Sequence, residues 1–170
     1  MKKGKNSFSH VDTSGKARMV NVSTKNDSMR VAVAHARISM NKHSFEQVIK
    51  NKNKKGDVIG TANLAGILAA KKTSDLIPLC HPLNISHVSL EFNPDKRNQS
   101  IEIIATCELN GKTGVEMEAL TAVTVAALTL YDMCKAADQS MEISEIHLIK
   151  KTGGRHGIYE RKNRQRKGAN

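Results

Sequence analysis

The chain divides by the spacing of its apolar residues into segments of period two and segments of helical period. Val31, Val33 and Ile38, with Ala32, Ala34 and Ala36 between them, predict a first strand over residues 30–40. Phe45, Val48 and Ile49 predict a short helix over 44–49. Asp57 suits the N-cap of a second helix running to about residue 73, with Lys71 and Lys72 at its C-terminal end. That helix is rich in small residues (Gly60, Ala62, Ala65, Gly66, Ala69, Ala70), which permits close backbone packing and tight subunit contacts. Val88, Leu90 and Phe92 alternate with polar residues, as do Ile101, Ile103, Ala105, Cys107 and Leu109. They predict two strands joined by a hairpin connection over 93–98. A last strand is expected over 141–149. The order strand, helices, strand, strand, helix, strand predicts an α+β, ferredoxin-like βαββαβ sandwich: an antiparallel sheet carrying helices on one face.

The helix before the last strand is the most distinctive segment. Residues 119–131 carry no charge, so this helix is expected to be buried nearly all round. Its ends then place Glu116, Glu118, Asp132 and Lys135 where buried structure meets solvent. Asp132 and Lys135 are three apart and share a helix face, with Cβ atoms about 5–6 Å apart. An acid and an amine held there can exchange protons with a ligand. The ordinary alternative is a solvated surface pair worth a few tenths of a kcal/mol. Thr113 and Glu116 have capping-box spacing, which gives Glu116 a structural use.

At 170 residues the chain is read as one domain, large enough to bury a core without disulfides or metals. No apolar leader follows the first lysines, so the protein is expected to be cytoplasmic with no membrane association. Cys80, Cys107 and Cys134 form no Cys-x-x-Cys pair, which argues against a disulfide framework or a zinc ribbon. The net charge of +11 invites a nucleic-acid reading. Most of the excess lies outside the body, where residues 6–149 hold 16 basic and 15 acidic residues. With 3% aromatics and no Trp there is little to stack on unpaired bases, so nucleic acid is an unlikely partner. Residues 1–7 and 158–170 are expected to be disordered basic tails around a domain spanning 8–157. The C-terminal tail is expected to be dispensable.

Other signals carry chemistry. Lys55 stands just before a helix N-terminus, a place that favours anions. Pro78 and Pro82 bracket Leu79-Cys80-His81, and a rigidly held loop histidine suits proton transfer better than one on a strand, such as His87 or His147. Lys150-Lys151-Thr152-Gly153-Gly154-Arg155 has the composition of a segment that embraces phosphate. Three functional classes compete on these residues: an enzyme, a nucleotide- or RNA-binding module, and a noncatalytic carrier of substrate.

Four motifs appear in order: Lys55-Gly56-Asp57-Val58, Leu76-Ile77-Pro78-Leu79-Cys80-His81-Pro82, the stretch from Gly111 to Thr121, and Leu130-Tyr131-Asp132-Met133-Cys134-Lys135. In them the chain resembles the cyclic pyranopterin monophosphate synthase family of molybdenum cofactor biosynthesis. The resemblance implies a lyase that converts 3′,8-cyclo-7,8-dihydroguanosine triphosphate to cyclic pyranopterin monophosphate and releases diphosphate. It implies Asp132, Lys135 and Lys55 as catalytic residues, with His81 beside them. It implies substrate contacts from Leu79, Cys80, His81, Glu116, Met117 and Glu118, and from the basic Arg30 and Lys151. No metal or other cofactor is implied. The implied assembly is a homohexamer, a trimer of dimers with pockets at the dimer interface. A transient contact with the upstream radical GTP cyclase would be compatible with this role.

Overall fold

The computed structural model describes residues 14–154 and 157–162. The described elements include strands β1 (Ser28–Ser39), β2 (His87–Asp95) and β3 (Ser100–Gly111), and the long helix α4 (Glu116–Cys134). Between β1 and β2 lie α1 (Lys42–Ile49), α2 (Val58–Lys71) and the single turn α3 (Thr73–Leu76). After α4 come β4 (Glu142–Thr152) and the two-residue β5 (Tyr159–Glu160). The sheet order is β2-β3-β1-β4-β5, with every pairing antiparallel. The first four strands thus have the ferredoxin-like arrangement expected from the alternation.

One face of the sheet is covered. Ala32, Ala34, Ala36 and Ile38 of β1 and Ile101, Ile103, Ala105 and Cys107 of β3 are fully buried there, against Ala119, Ala122, Val123, Ala126 and Leu130 of α4. α2 lies along α4. Gly66 makes the approach close: a Cβ built there would stand 2.5 Å from Leu90 Cδ2 and 3.0 Å from the Ala122 carbonyl oxygen. Asp57 caps α2 as its position suggests, its Oδ1 accepting from the Gly60 N–H at 2.9 Å.

Three expectations need correction. α4 is not buried all round: Leu128 is 53% exposed, and Leu64 and Leu68 of α2 are 59% and 49% exposed. Among the described residues, α4 is packed extensively by the sheet on one side and by α2 on another, so a strip remains open. By length and composition alone this helix could cross a membrane, but its inner side is the core of the sandwich. The capping box is absent too, because the helix starts at Glu116 with Val115 as its N-cap and no side-chain capping bond. Finally, the segment expected to be disordered from residue 158 supplies β5, in which Glu160 and Tyr159 pair with Lys150 and Lys151. The N-terminal tail 1–7, residues 163–170 and Arg155 lie outside the described residues.

Candidate active site

The residues singled out in the sequence form two groups, at the two ends of α4. At its C-terminal end Lys135 Nζ lies 2.6 Å from Asp132 Oδ1. Lys55 reaches across from the loop before α2, with Nζ 3.7 Å from Asp132 Oδ2 and 2.8 Å from the Asp132 carbonyl. Asn53 holds that loop, its Oδ1 accepting from the Lys55 N–H at 2.9 Å. The Lys135 hydrogen bond, with the charges of Lys135 and Lys55, holds the Asp132 carboxyl below its usual range. The same contact raises Lys135. Asp132 and Lys135 therefore hold each other in the charged forms, beside Lys55 and open to solvent.

The second group surrounds the N-terminal end of α4. Glu118, 3% exposed, has its carboxyl pushed up to about 7 by burial, with the nearby Glu116 charge adding to the rise. Leu79, Cys80 and His81 from the proline-bracketed loop face Glu116, Met117 and Glu118 around a cavity of about 460 Å³. Burial raises the Cys80 thiol, so it stands there as a neutral group. His81 Nε2 is engaged, 2.9 Å from the Val20 carbonyl.

A larger cavity of about 860 Å³ adjoins it, lined by Lys25, Arg30, Lys112, Lys151 and the backbone of Gly153-Gly154. Arg30 is 8% exposed and its Nε donates to the Gly111 carbonyl at 3.0 Å. Gly153 and Gly154 both have positive φ, and a Cβ on either would collide with Met29 or with the Arg30 guanidinium. The glycines therefore let the chain pass directly over Arg30.

Lys151 arrives through a β-bulge. Going along β4, His147 and Leu148 pair with His35 and Ala34, but Lys150 and Lys151 pair with Val33 and Ala32. Ile149 is the extra residue, and it flips the parity of the rest of the strand. Lys151 thereby joins fully buried Ala32 on the helix-covered face, where its ammonium meets Glu116 Oε1 at 2.6 Å. Lys150, next to Val33, is turned to the other face. The phosphate role expected of Lys150 together with Lys151 is thus separated by one residue of register.

The two groups do not meet within one chain. Asp132 and Glu116 are sixteen residues apart on α4, about 24 Å along its axis. Sequence reasoning placed them as the two ends of one buried helix, and that spacing already sets them apart. It also passed over Lys25 and Lys112. Lys112 lies inside the Gly111–Thr121 motif and was visible there, whereas Lys25 sits in a polar arm with no local pattern.

An α+β sandwich bearing ammonium, carboxylate and imidazole groups around two adjoining cavities has the kinds of group that acid–base chemistry on an anionic small molecule uses. The chain belongs to the MoaC family, whose model matches residues 19–154. A protein of Heliobacterium modesticaldum named cyclic pyranopterin monophosphate synthase is 54% identical over 154 residues, covering 91% of this chain and 97% of its own. Proteins of the same name from Desulforapulum autotrophicum (53% over 152 residues, 89% and 93%) and Syntrophomonas wolfei (55% over 150 residues, 88% and 96%) are similar to it as well.

Proposed function

We propose that this chain is a lyase of molybdenum cofactor biosynthesis, converting 3′,8-cyclo-7,8-dihydroguanosine triphosphate to cyclic pyranopterin monophosphate with release of diphosphate. The larger cavity suits the phosphates: Arg30 and Lys151 offset charge as diphosphate departs. The smaller cavity suits the ring system, with Glu118 available as an acid near neutral pH. Ring opening and re-closure need proton transfers, which Asp132, Lys135 and Lys55 supply from the other end of the helix. Such a rearrangement calls for no cofactor.

The observation that carries this reading is the division of one residue set between two ends of α4, together with the open apolar strip at Leu64, Leu68 and Leu128. Packing that strip against a second copy in the opposite sense would bring the Asp132 end of one chain to the Glu118 end of the other, and bury apolar surface as it did so. The expected result is a site shared between chains, in a hexamer built of such dimers. On this reading the enzyme works in the cytoplasm, supplied there by a radical cyclase acting on GTP.

The direct test is to incubate the purified protein with the cyclised nucleotide and measure cyclic pyranopterin and diphosphate. A complementation test addresses the shared site. Asp132→Asn and Arg30→Ala chains, each inactive alone, are expected to regain turnover when co-assembled, since one site per dimer is then intact. A mixture as inactive as its parents would show that the two ends never meet.

A further inference from the structure

Away from both cavities, one uncharged side chain ties the Lys55 loop to the end of α4. After α1 the chain turns through Asn51, whose φ is 49°, and it enters α2 past Gly56, whose φ is 93°. Between these turns stand Lys52, Lys54 and Lys55, whose mutual repulsion favours an open loop. Asn53 opposes that with both halves of its amide. Oδ1 accepts from the Lys55 N–H at 2.9 Å, and Nδ2 is shared between the Met133 carbonyl at 3.5 Å and Cys134 Sγ at 3.6 Å. The opposite amide orientation would set its NH2 against the Lys55 N–H and its oxygen against the Met133 carbonyl. Met133 and Cys134 belong to the last turn of α4, where carbonyls have no helical partner and take donors from elsewhere.

The helix end has an anchorage of its own. Asp138, 4% exposed, accepts from the Asn41 N–H at 2.6 Å, and from the Ser140 N–H at 2.9 Å and hydroxyl at 2.6 Å. Its own N–H donates to the Cys134 carbonyl at 3.1 Å. The last turn of α4 is thus fixed to the start of α1 without help from the loop, and Asn53 brings the loop to it. Lys55 also touches Asp132, through the carbonyl at 2.8 Å and the carboxylate at 3.7 Å. An ammonium that turns to substrate gives up contacts of that kind. Asn53 keeps its own, because its partners are main-chain groups and a thiol that burial pushes up and so keeps neutral.

We infer that Asn53 is a positioning residue for the reaction: it holds the Lys55 main chain against the last turn of α4, so that the ammonium stays beside Asp132 and Lys135 when its hydrogen bonds change. This rests on the synthase reading above, in which Lys55 is one of the groups that move protons.

Kinetics of two variants test the role. Asn53→Ala removes both halves of the amide. Asn53→Asp keeps an acceptor for the Lys55 N–H but offers the Met133 carbonyl no donor, so it preserves the turn within the loop and breaks the tie to α4. Both are expected to lower kcat by about 10–100-fold with KM within about threefold, the cost of misplacing a reacting group by up to about 1 Å. Parent kinetics in Asn53→Asp would reduce Asn53 to a turn residue and overturn the proposal. In a Lys55→Ala background, Asn53→Ala is expected to cost nothing further, since its effect runs through Lys55. A second, additive loss there would overturn the proposal too.

A thiol probe reports the tie without turnover. Alkylation of Cys134 by iodoacetamide, followed by peptide mass spectrometry, is expected to be slow in the parent, where Cys134 is 1% exposed. In both variants it should be about tenfold faster, because local opening of the loop uncovers the sulfur. Alkylation as slow as in the parent would mean that the loop stays in place without Asn53, against the proposal. A parent without turnover, whose Cys134 still becomes reactive in both variants, would overturn the synthase reading alone and support the tie.

Discussion

Glu116 and Lys151 meet at 2.6 Å because a single bulged residue, Ile149, turns Lys151 toward the helices. Lys150, one position earlier, is turned to the opposite face of the sheet. The two lysines are equal in sequence and unequal in space. Lys151→Ala is expected to raise KM about tenfold, the cost of one charged contact to phosphate. Lys150→Ala should leave KM within about twofold, as surface substitutions usually do. Equal effects in steady-state kinetics would contradict the register.

Asp132 and its two lysines form the exposed group. Asp132→Asn and Lys135→Ala are each expected to cut kcat by at least about 100-fold. Circular dichroism and melting temperature should barely change, since both side chains are more than half exposed and such pairs add little stability. Near-normal turnover in either folded variant would remove these residues from the chemistry.

Glu118 predicts a pH effect of known sign. Its folded pKa of about 7 lies above the ordinary carboxylate value of about 4.3. Across that window the folded chain keeps a proton that the unfolded chain has released. Its contribution to stability is therefore full below about pH 4 and declines as pH rises through 7. If the protonated form serves the reaction, turnover has a limb near pH 7 that falls toward alkaline pH. Glu118→Gln should abolish that limb and flatten the stability change. A pH–rate limb that persists in Glu118→Gln would assign it to another group.

Gly66 sets the distance between α2 and α4. Alanine is the better helix former by up to about 1 kcal/mol. Here its methyl would press on Leu90 and on the main chain of Ala122, and overpacking of this kind costs about 1–3 kcal/mol. Gly66→Ala is expected to lower stability in a denaturant melt. A stabilised variant would mean the two helices can separate freely.

The C-terminal segment divides at residue 163. Removing 163–170 should leave kinetics unchanged. Removing 158–170 also strips β5 from β4, including the pairing of Tyr159 with Lys151 and the Arg161 N–H bond to the Ile149 carbonyl at 2.8 Å. That longer truncation is expected to raise KM with little change in kcat, because β5 backs the bulge that aims Lys151. Identical kinetics for both truncations would show that the bulge holds itself.

The strands were legible because burial on one face writes itself as alternation, from Val88 to Phe92 and from Ile101 to Leu109. α4 was legible because charge is excluded from its inner side. A change of parity is not encoded in alternation, so the Ile149 bulge and the split between Lys150 and Lys151 were invisible. An uncharged run also cannot distinguish a helix covered by its own chain from one with an open strip, and Leu128 belongs to the second kind. The start of α4 was misjudged because the capping-box spacing of Thr113 and Glu116 competes with the ion pair that Glu116 makes to Lys151. The motifs named residues that the structure gathers at the two ends of α4. The arm clipped against the cavity by His81 depends on a contact between distant segments.

α4 also acts as a ruler. One rigid rod carries Glu118 near its start and Asp132 near its finish, so both the distance and the angle between them are counted in residues. Substitutions on the open strip leave that count intact. Inserting or deleting one residue between Leu120 and Leu130 would turn one end against the other by about 100° and shift it by about 1.5 Å. On the shared-site reading, the length of this helix is therefore a functional constant, separate from the identity of the residues that fill it.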